Sequence, residues 1–175
     1  MPQKIIYSTP IYSTPQNPRL PYLLELIYSI KHQLQPDKYL HIIVNDGSTD
    51  NSCQQLKNLA QSDLNLIIVD HEHVDGTYAF NLGIDLSIFP EQHRKLLNDK
   101  DYEKLISFQA DLINFTGVDD LIGPKIQATL QPVQEYSDTT VAFWGDYKSF
   151  LANYPFTHQE FSPYDQNPLT LLELL

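Results

Sequence analysis

The chain has 175 residues, of which 42% are hydrophobic and 19% charged. That is enough for one domain with a buried core, and the composition is not that of a disordered chain. A formal net charge of -11 argues against general nucleic-acid binding, because an acidic surface repels a phosphate backbone. A nucleotide held locally through a metal ion stays compatible with it.

Lys4–Ser8 is a short β-prone run, and the prolines that follow (Pro10, Pro15, Pro18, Pro21) mark a loop. Leu20, Leu23, Leu24, Ile27, Ile30 and Leu34 recur at helical spacing and predict an amphipathic helix, ended by Pro36 and Asp37. Leu40–Val44 is a continuous apolar run, the pattern of a strand buried on both faces. It leads into NDGSTDNS, a cluster of turn and helix-capping residues. A helix is then expected with Cys53, Leu56, Leu59 and Ala60 on one side, followed by a strand over Leu64–Val69.

After a polar loop, DHEHVDG, the spacing of Ala79, Leu82, Gly83 and Leu86 predicts another helix. Pro90–Asp101 is polar and charged and reads as an insertion, and Tyr102–Gln109 as a helix. Leu112–Phe115 reads as a strand entering TGVDD, Ile126, Leu130 and Val133 as a helix after Pro124, and Thr140–Trp144 as a strand. Alternating strands and helices predict an α/β domain with a mostly parallel sheet flanked by helices. The tail ends in LTLLELL, an apolar element with no continuation, so the domain is read as C-terminally truncated.

Cys53 is the only cysteine, which excludes an intramolecular disulfide and a cysteine-based zinc site. The N-terminus lacks the apolar core of a signal peptide, and no apolar run approaches the ~20 residues that cross a bilayer. A cytoplasmic chain is expected, with peripheral membrane contact left open.

Two acidic clusters follow apolar strands, where open α/β sheets bind ligands. Asp46 follows LHIIV; a carboxylate there is able to accept a hydrogen bond from an imide N–H such as that of uracil. Asp119 and Asp120 follow LINF; adjacent carboxylates repel each other unless a cation sits nearby, and hard divalent cations favour carboxylate and phosphate oxygens. Taken singly, each cluster fits turn and capping chemistry better than a ligand site. His71 and His73 would share one face of a strand, but no third metal ligand accompanies them. Neither G-x-G-x-x-G nor G-x-x-x-x-G-K-[ST] occurs, which leaves other doubly wound nucleotide-binding domains without support.

In combination the motifs are more specific. Pro10, Ile11, Tyr12 and Ser13 match a Pro-x-Tyr-Asn turn, and Val44 through Asp50 match a Val-Asp-Asp-Gly-Ser-x-Asp signature. Gly76, Ala79, Asn81 and Gly83 match a Gly-x-x-x-Ala-x-Asn-x-Gly-like segment, and Gly117 through Asp120, with Pro124, an Asp-x-Asp-type metal motif. Over roughly residues 4 to 148 the chain resembles the family 2 glycosyltransferases, which have the GT-A fold. The resemblance implies a nucleotide-sugar-binding GT-A domain over 1–150 and the incomplete start of an acceptor-side segment over 151–175. It implies a nucleoside diphosphate sugar, expected to be a UDP-sugar, as the partner, bound with Mn²⁺ or Mg²⁺. The reaction it implies is inverting transfer to a hydroxyl of an unspecified acceptor glycan, lipid or protein.

The resemblance assigns the nucleotide to Pro10, Tyr12, Asp46 and Asp119. Tyr12 would stack on the base and Asp46 would bond it; Asp119 and Asp120 would face the diphosphate, with Asp120 the first choice as direct metal ligand. Asp70 and the loop after it would lie near the nucleotide. Ser13 replaces the usual Asn, Asn45 the first Asp of the signature, and Gly117 the first Asp of the metal motif. The catalytic base of the family lies beyond this stretch, and nothing ties Glu160, Asp165 or Glu173 to that role. The alternative reading is a truncated, non-catalytic module that binds nucleotide or a partner protein.

Overall fold

Isoleucine-rich segments without helical periodicity form the centre of a parallel sheet. Strand β1 is Ile5–Ile11 and β2 is Tyr39–Asp46, paired in parallel from Ile5 opposite Tyr39 to Ile11 opposite Asn45. Strand β3, Leu66–His71, lies outside β2, and β4, Leu112–Phe115, lies on the other side of β1. The order is β3-β2-β1-β4, all parallel. Every residue of β2 is buried, including His41, Asn45 and Asp46, as its unbroken apolar run requires of a central strand. The computed structural model describes residues 4–122, 148–150 and 158–161, and the chain divides into two units, Met1–Ile126 and Gln127–Leu175.

Among the described residues, the first unit holds four α-helices. Helix α1, Leu20–Gln33, carries Pro21 in its first turn, where a missing N–H breaks no intrahelical bond. Its buried stripe is Leu20, Leu23, Leu26, Ile27 and Ile30. Leu24, expected inside, points to solvent, since it lies a full 100° from Leu23 around the helix. Helix α2 is Ser52–Ser62, with Leu56 fully buried and Cys53, Leu59 and Ala60 only partly so. Helix α3, Gly76–Ile88, starts where the Asp75 carboxylate accepts the Tyr78 N–H at 2.8 Å. Helix α4, Asp99–Phe108, starts at an Asn98 cap on the Asp101 N–H, 2.9 Å.

The main apolar cluster joins Ile6, Ile42, Val44, Ile67 and Val69 from the sheet to Ala79, Leu82 and Leu86 of α3. Burying each such aliphatic side chain contributes about 1.5–3 kcal/mol. Gly83 lets α3 approach β1 closely: a Cβ there would lie 1.9 Å from Ser8 Oγ.

Several boundaries differ from expectation. Strand β1 runs on through Pro10 to Ile11, and β3 begins at Leu66, because Asp63 folds Asn65 and Leu66 into a turn through their N–H groups. Leu64 is left exposed. The Pro90–Asp101 stretch is not a detached insertion. A 3₁₀ segment over Pro90–Leu96 and the first turn of α4 occupy it, and Pro90 and Leu97 are buried. Among the described residues of the second unit, Lys148–Phe150 (β5) and His158–Phe161 (β6) pair antiparallel, with Glu160 in β6. The helix expected after Pro124, the strand over Thr140–Trp144, Asp165, Glu173 and the apolar tail lie outside the described residues.

Candidate functional site

In the order β3-β2-β1-β4 the chain builds outward from β1 on one side, then returns to add β4 on the other. The carboxyl ends of β1 and β4 therefore flank the topological switch point, where parallel sheets open a crevice. Tyr12 and Ser13 follow β1, and Gly117–Asp120 follow β4. The seam between these strands is closed by Thr9 Oγ1 and Thr116 Oγ1, 2.7 Å apart, and by Thr116 N–H donating to Ser8 O, 3.1 Å.

Ser13 ties the loops together. It is fully buried. Its N–H donates to Ser48 Oγ at 2.9 Å and its carbonyl accepts Thr49 N–H at 2.9 Å. Its hydroxyl donates to Asp50 Oδ2 at 2.6 Å and accepts Arg19 N–H at 2.9 Å. The position that departs from Asn thus keeps a group able to donate and accept at once. Burial works to raise the Asp50 carboxyl, but the bonds from Ser13 and Ser52 outweigh it and hold the pKa below the usual carboxylate range.

Asp46 does not reach freely into the crevice, as its place after β2 suggested. It is 2% exposed, and both carboxylate oxygens are engaged by the chain itself. Oδ1 accepts Val74 N–H at 3.0 Å, and Oδ2 accepts His73 Nδ1–H at 2.8 Å. The proton belongs on Nδ1, since the Asp46 carbonyl 3.2 Å away is also an acceptor. The other contact of the His73 ring is Tyr12: the rings stack with centroids 4.2 Å apart and planes at 18°. Tyr12 itself is 42% exposed.

Gly47 makes this crossing feasible. Its φ is +66°, and a Cβ there would lie 2.6 Å from the His73 backbone nitrogen. His71, the last residue of β3, packs instead on Tyr78, 4.7 Å between centroids, so the two histidines do not share a site. Among the described residues, no group of three His, Cys, Asp or Glu is arranged for a metal ion.

Asp70 sits beside Asn45. Asn45 Nδ2 donates to Oδ1 at 2.6 Å and Lys57 Nζ to Oδ2 at 2.9 Å. Burial acts to raise its carboxyl, yet the bonds from Lys57, Asn45 and Cys53 together lower it. Asn rather than Asp at 45 suits this arrangement, because a second carboxylate would face Asp70 without a proton to share.

Asp119 and Asp120 bracket Gly117. A Cβ on Gly117 would meet Asp119 Oδ1 and Asp120 Oδ2, each at 3.1 Å. Asp120 Oδ2 accepts Gly117 N–H at 2.6 Å, and Asp120 N–H donates to Gly117 O at 3.2 Å. Arg19 Nη1 lies 3.6 Å from Asp119 Oδ2. Two exposed carboxylates around one small residue fit a hard divalent cation that takes its remaining ligands from phosphate and water; they do not form a closed protein cage. Asp119 connects to the Tyr12 side through Arg19, whose N–H bonds Ser13. Pro10 lies in β1 opposite Val44. His73, Arg19 and the linking role of Ser13 were not legible as site features: His73 appeared only as half of an alternating pair, and nothing beside Arg19 marks it.

Comparison with protein families finds one likeness. Residues 10–87 match the model described as "Glycosyl transferase family 2". Over those residues, fewer than half of the chain, it is similar to the family 2 glycosyltransferases. The chain is also similar to solved structures. To the mannosyltransferase PcManGT of Pyrobaculum calidifontis, in complex with GDP-Man and Mn²⁺, it is 20% identical over 85% of this chain. It covers 36% of that chain, with a TM-score of 0.57. To S. aureus TarS 1-349 it is 20% identical over 77% of this chain and 32% of that one, TM-score 0.51. To the same protein in complex with UDP it is 19% identical over the same shares, also with a TM-score of 0.51. These likenesses show the fold, an α/β domain with a mostly parallel sheet flanked by helices. The chain spans about a third of the length of these structures. Curated proteins yielded no match.

Proposed function

We propose that the chain binds a nucleoside diphosphate sugar, a UDP-sugar in the first instance, in the crevice between the ends of β1 and β4, as the donor side of an inverting sugar transfer. The carrying observation is that Tyr12 and the Asp119–Asp120 pair flank the one switch point of the sheet. Tyr12 offers an aromatic face for the base, and Asp46 an acceptor for its ring N–H. Asp119 and Asp120 would hold Mn²⁺ or Mg²⁺, which when bound supplies charge to stabilise the departing diphosphate. Arg19, beside Asp119, adds a fixed cation at the diphosphate end. Buried Ser13 and the loop it bonds keep the two ends in register. In such a transfer an acceptor hydroxyl attacks the anomeric carbon as its proton passes to a base and the nucleoside diphosphate leaves. No described residue is assigned as that base. PcManGT with GDP-Man and Mn²⁺ and TarS with UDP support the ligand class.

UDP with Mn²⁺ is expected to raise the melting temperature. A ligand at ~100 times its dissociation constant stabilises by roughly 2.7 kcal/mol, which is about 5–10 °C for a domain of this size. Asp120→Ala should abolish the metal-dependent part. An unchanged wild-type melting temperature at millimolar UDP and Mn²⁺ would refute the proposal.

A further inference from the structure

His73 makes the two contacts that the proposed function gives to the nucleobase. Its imidazole lies on the Tyr12 ring, 4.2 Å between centroids and 18° between planes, and its Nδ1–H points at Asp46 Oδ2, 2.8 Å away. A flat heteroaromatic ring stacked on Tyr12 and presenting a ring N–H to Asp46 describes uracil or guanine equally well. Asp46 has no free oxygen for a second donor of that kind, because Oδ1 is taken by Val74 N–H at 3.0 Å. A base and His73 therefore compete for the same face and the same oxygen.

We propose that the His73 side chain is an internal stand-in for the nucleobase, and that a nucleotide enters by displacing it and taking over its stacking and hydrogen bond. This rests on the assignment of Tyr12 and Asp46 to the base. Displacement is sterically open, since the His73 side chain is 48% exposed and anchored only at its ring. Its backbone, pinned against Gly47, stays in place. The exchange also selects the base. An incoming ring must return an N–H to the buried Asp46, or leave a buried carboxylate oxygen without its donor. Uracil and guanine present a ring N–H. Adenine and cytosine place an acceptor nitrogen at the equivalent edge, which a carboxylate repels.

The test is calorimetric titration of the full chain with UDP, GDP and ADP, each with Mn²⁺, for wild type, His73→Ala and His73→Gln. A parallel NMR titration follows the His73 ring resonances, assigned by their loss in the variants. If the ring is a stand-in, His73→Ala binds UDP or GDP about five- to tenfold more tightly than wild type, as expected when a competing contact of roughly 1 kcal/mol is removed. His73→Gln, which keeps a donor for Asp46 but loses the stacked ring, falls between the two. The His73 signals lose their ring-current shift from Tyr12 as UDP is added, and ADP does neither. Weaker binding by His73→Ala, or nucleotide binding with the His73 signals unmoved, would overturn the proposal while leaving the donor site standing. Absence of nucleotide binding in all three proteins would overturn both.

Discussion

His41 shows what one buried side chain does to the pH response of the fold. It lies wholly inside β2, with Nε2 2.9 Å from Thr9 Oγ1 and Nδ1 unpartnered among the described residues. Burial pushes its pKa down to about 3, with Asp63 pulling weakly the other way. The folded state thus holds a neutral ring, while the unfolded chain begins to take up a proton below the ordinary histidine value of about 6.5. The contribution is constant above that pH. As pH falls from about 6.5 toward 3 it is lost progressively, by up to about 1.4 kcal/mol per pH unit. His41→Gln, neutral at every pH and able to bond Thr9, should flatten this limb. Urea midpoints of both proteins between pH 7 and 4.5 check it, the difference between them removing the shared contribution of Asp50 and Asp70. The positions of Asp46, Asp119 and Asp120 after strands were legible because each follows an apolar run, but the burial of Asp46 under His73 and Val74 was not. His73 was not, because its place depends on a crossing of β2 and the loop after β3 that local sequence does not encode.

Helix α3 approaches β1 closely at Gly83. Gly83→Ala would place a methyl 1.9 Å from Ser8 Oγ, so the helix must shift although alanine is the better helix former. A loss of about 1–3 kcal/mol is expected. Ser8 Oγ has no hydrogen-bond partner among the described residues, so Ser8→Ala gives up little on its own. It should recover part of the loss in the Gly83→Ala background, a coupling that chemical denaturation of the four proteins measures. The same packing explains which elements were legible. β2 and the buried stripe of α1 announce themselves through unbroken and periodic apolar runs. The start of α4 does not, since its signal is the Asn98 cap rather than apolar spacing, and Leu64 looked like strand because the Asp63 turn outweighs its hydrophobicity.

The molecule as a whole carries a formal charge of -11, and its proposed ligand is an anion. Lys57 is occupied with Asp70 and Arg19 faces Asp119, so little free positive charge greets a diphosphate at the described edge. Affinity should therefore depend on the cation: chelation with EDTA is expected to weaken UDP binding by about tenfold or more, in calorimetry at constant ionic strength. Binding that survives chelation unchanged would point to an arginine- or backbone-based phosphate site. Fold class was legible at this scale because strands and helices alternate. Strand order was not, since placing β4 beside β1 is a pairing across about a hundred residues of chain.

Gly47 has one more consequence. With its φ of +66° and the His73 nitrogen 2.6 Å from where a methyl would start, two stretches 26 residues apart meet main chain to main chain. The only side-chain atom among the nearest neighbours of that point is the His73 Cβ, 2.8 Å away. A side chain added at position 47 would press directly on the backbone of residue 73, so the turn after β2 and the segment after β3 are expected to shift together, carrying the His73 ring with them.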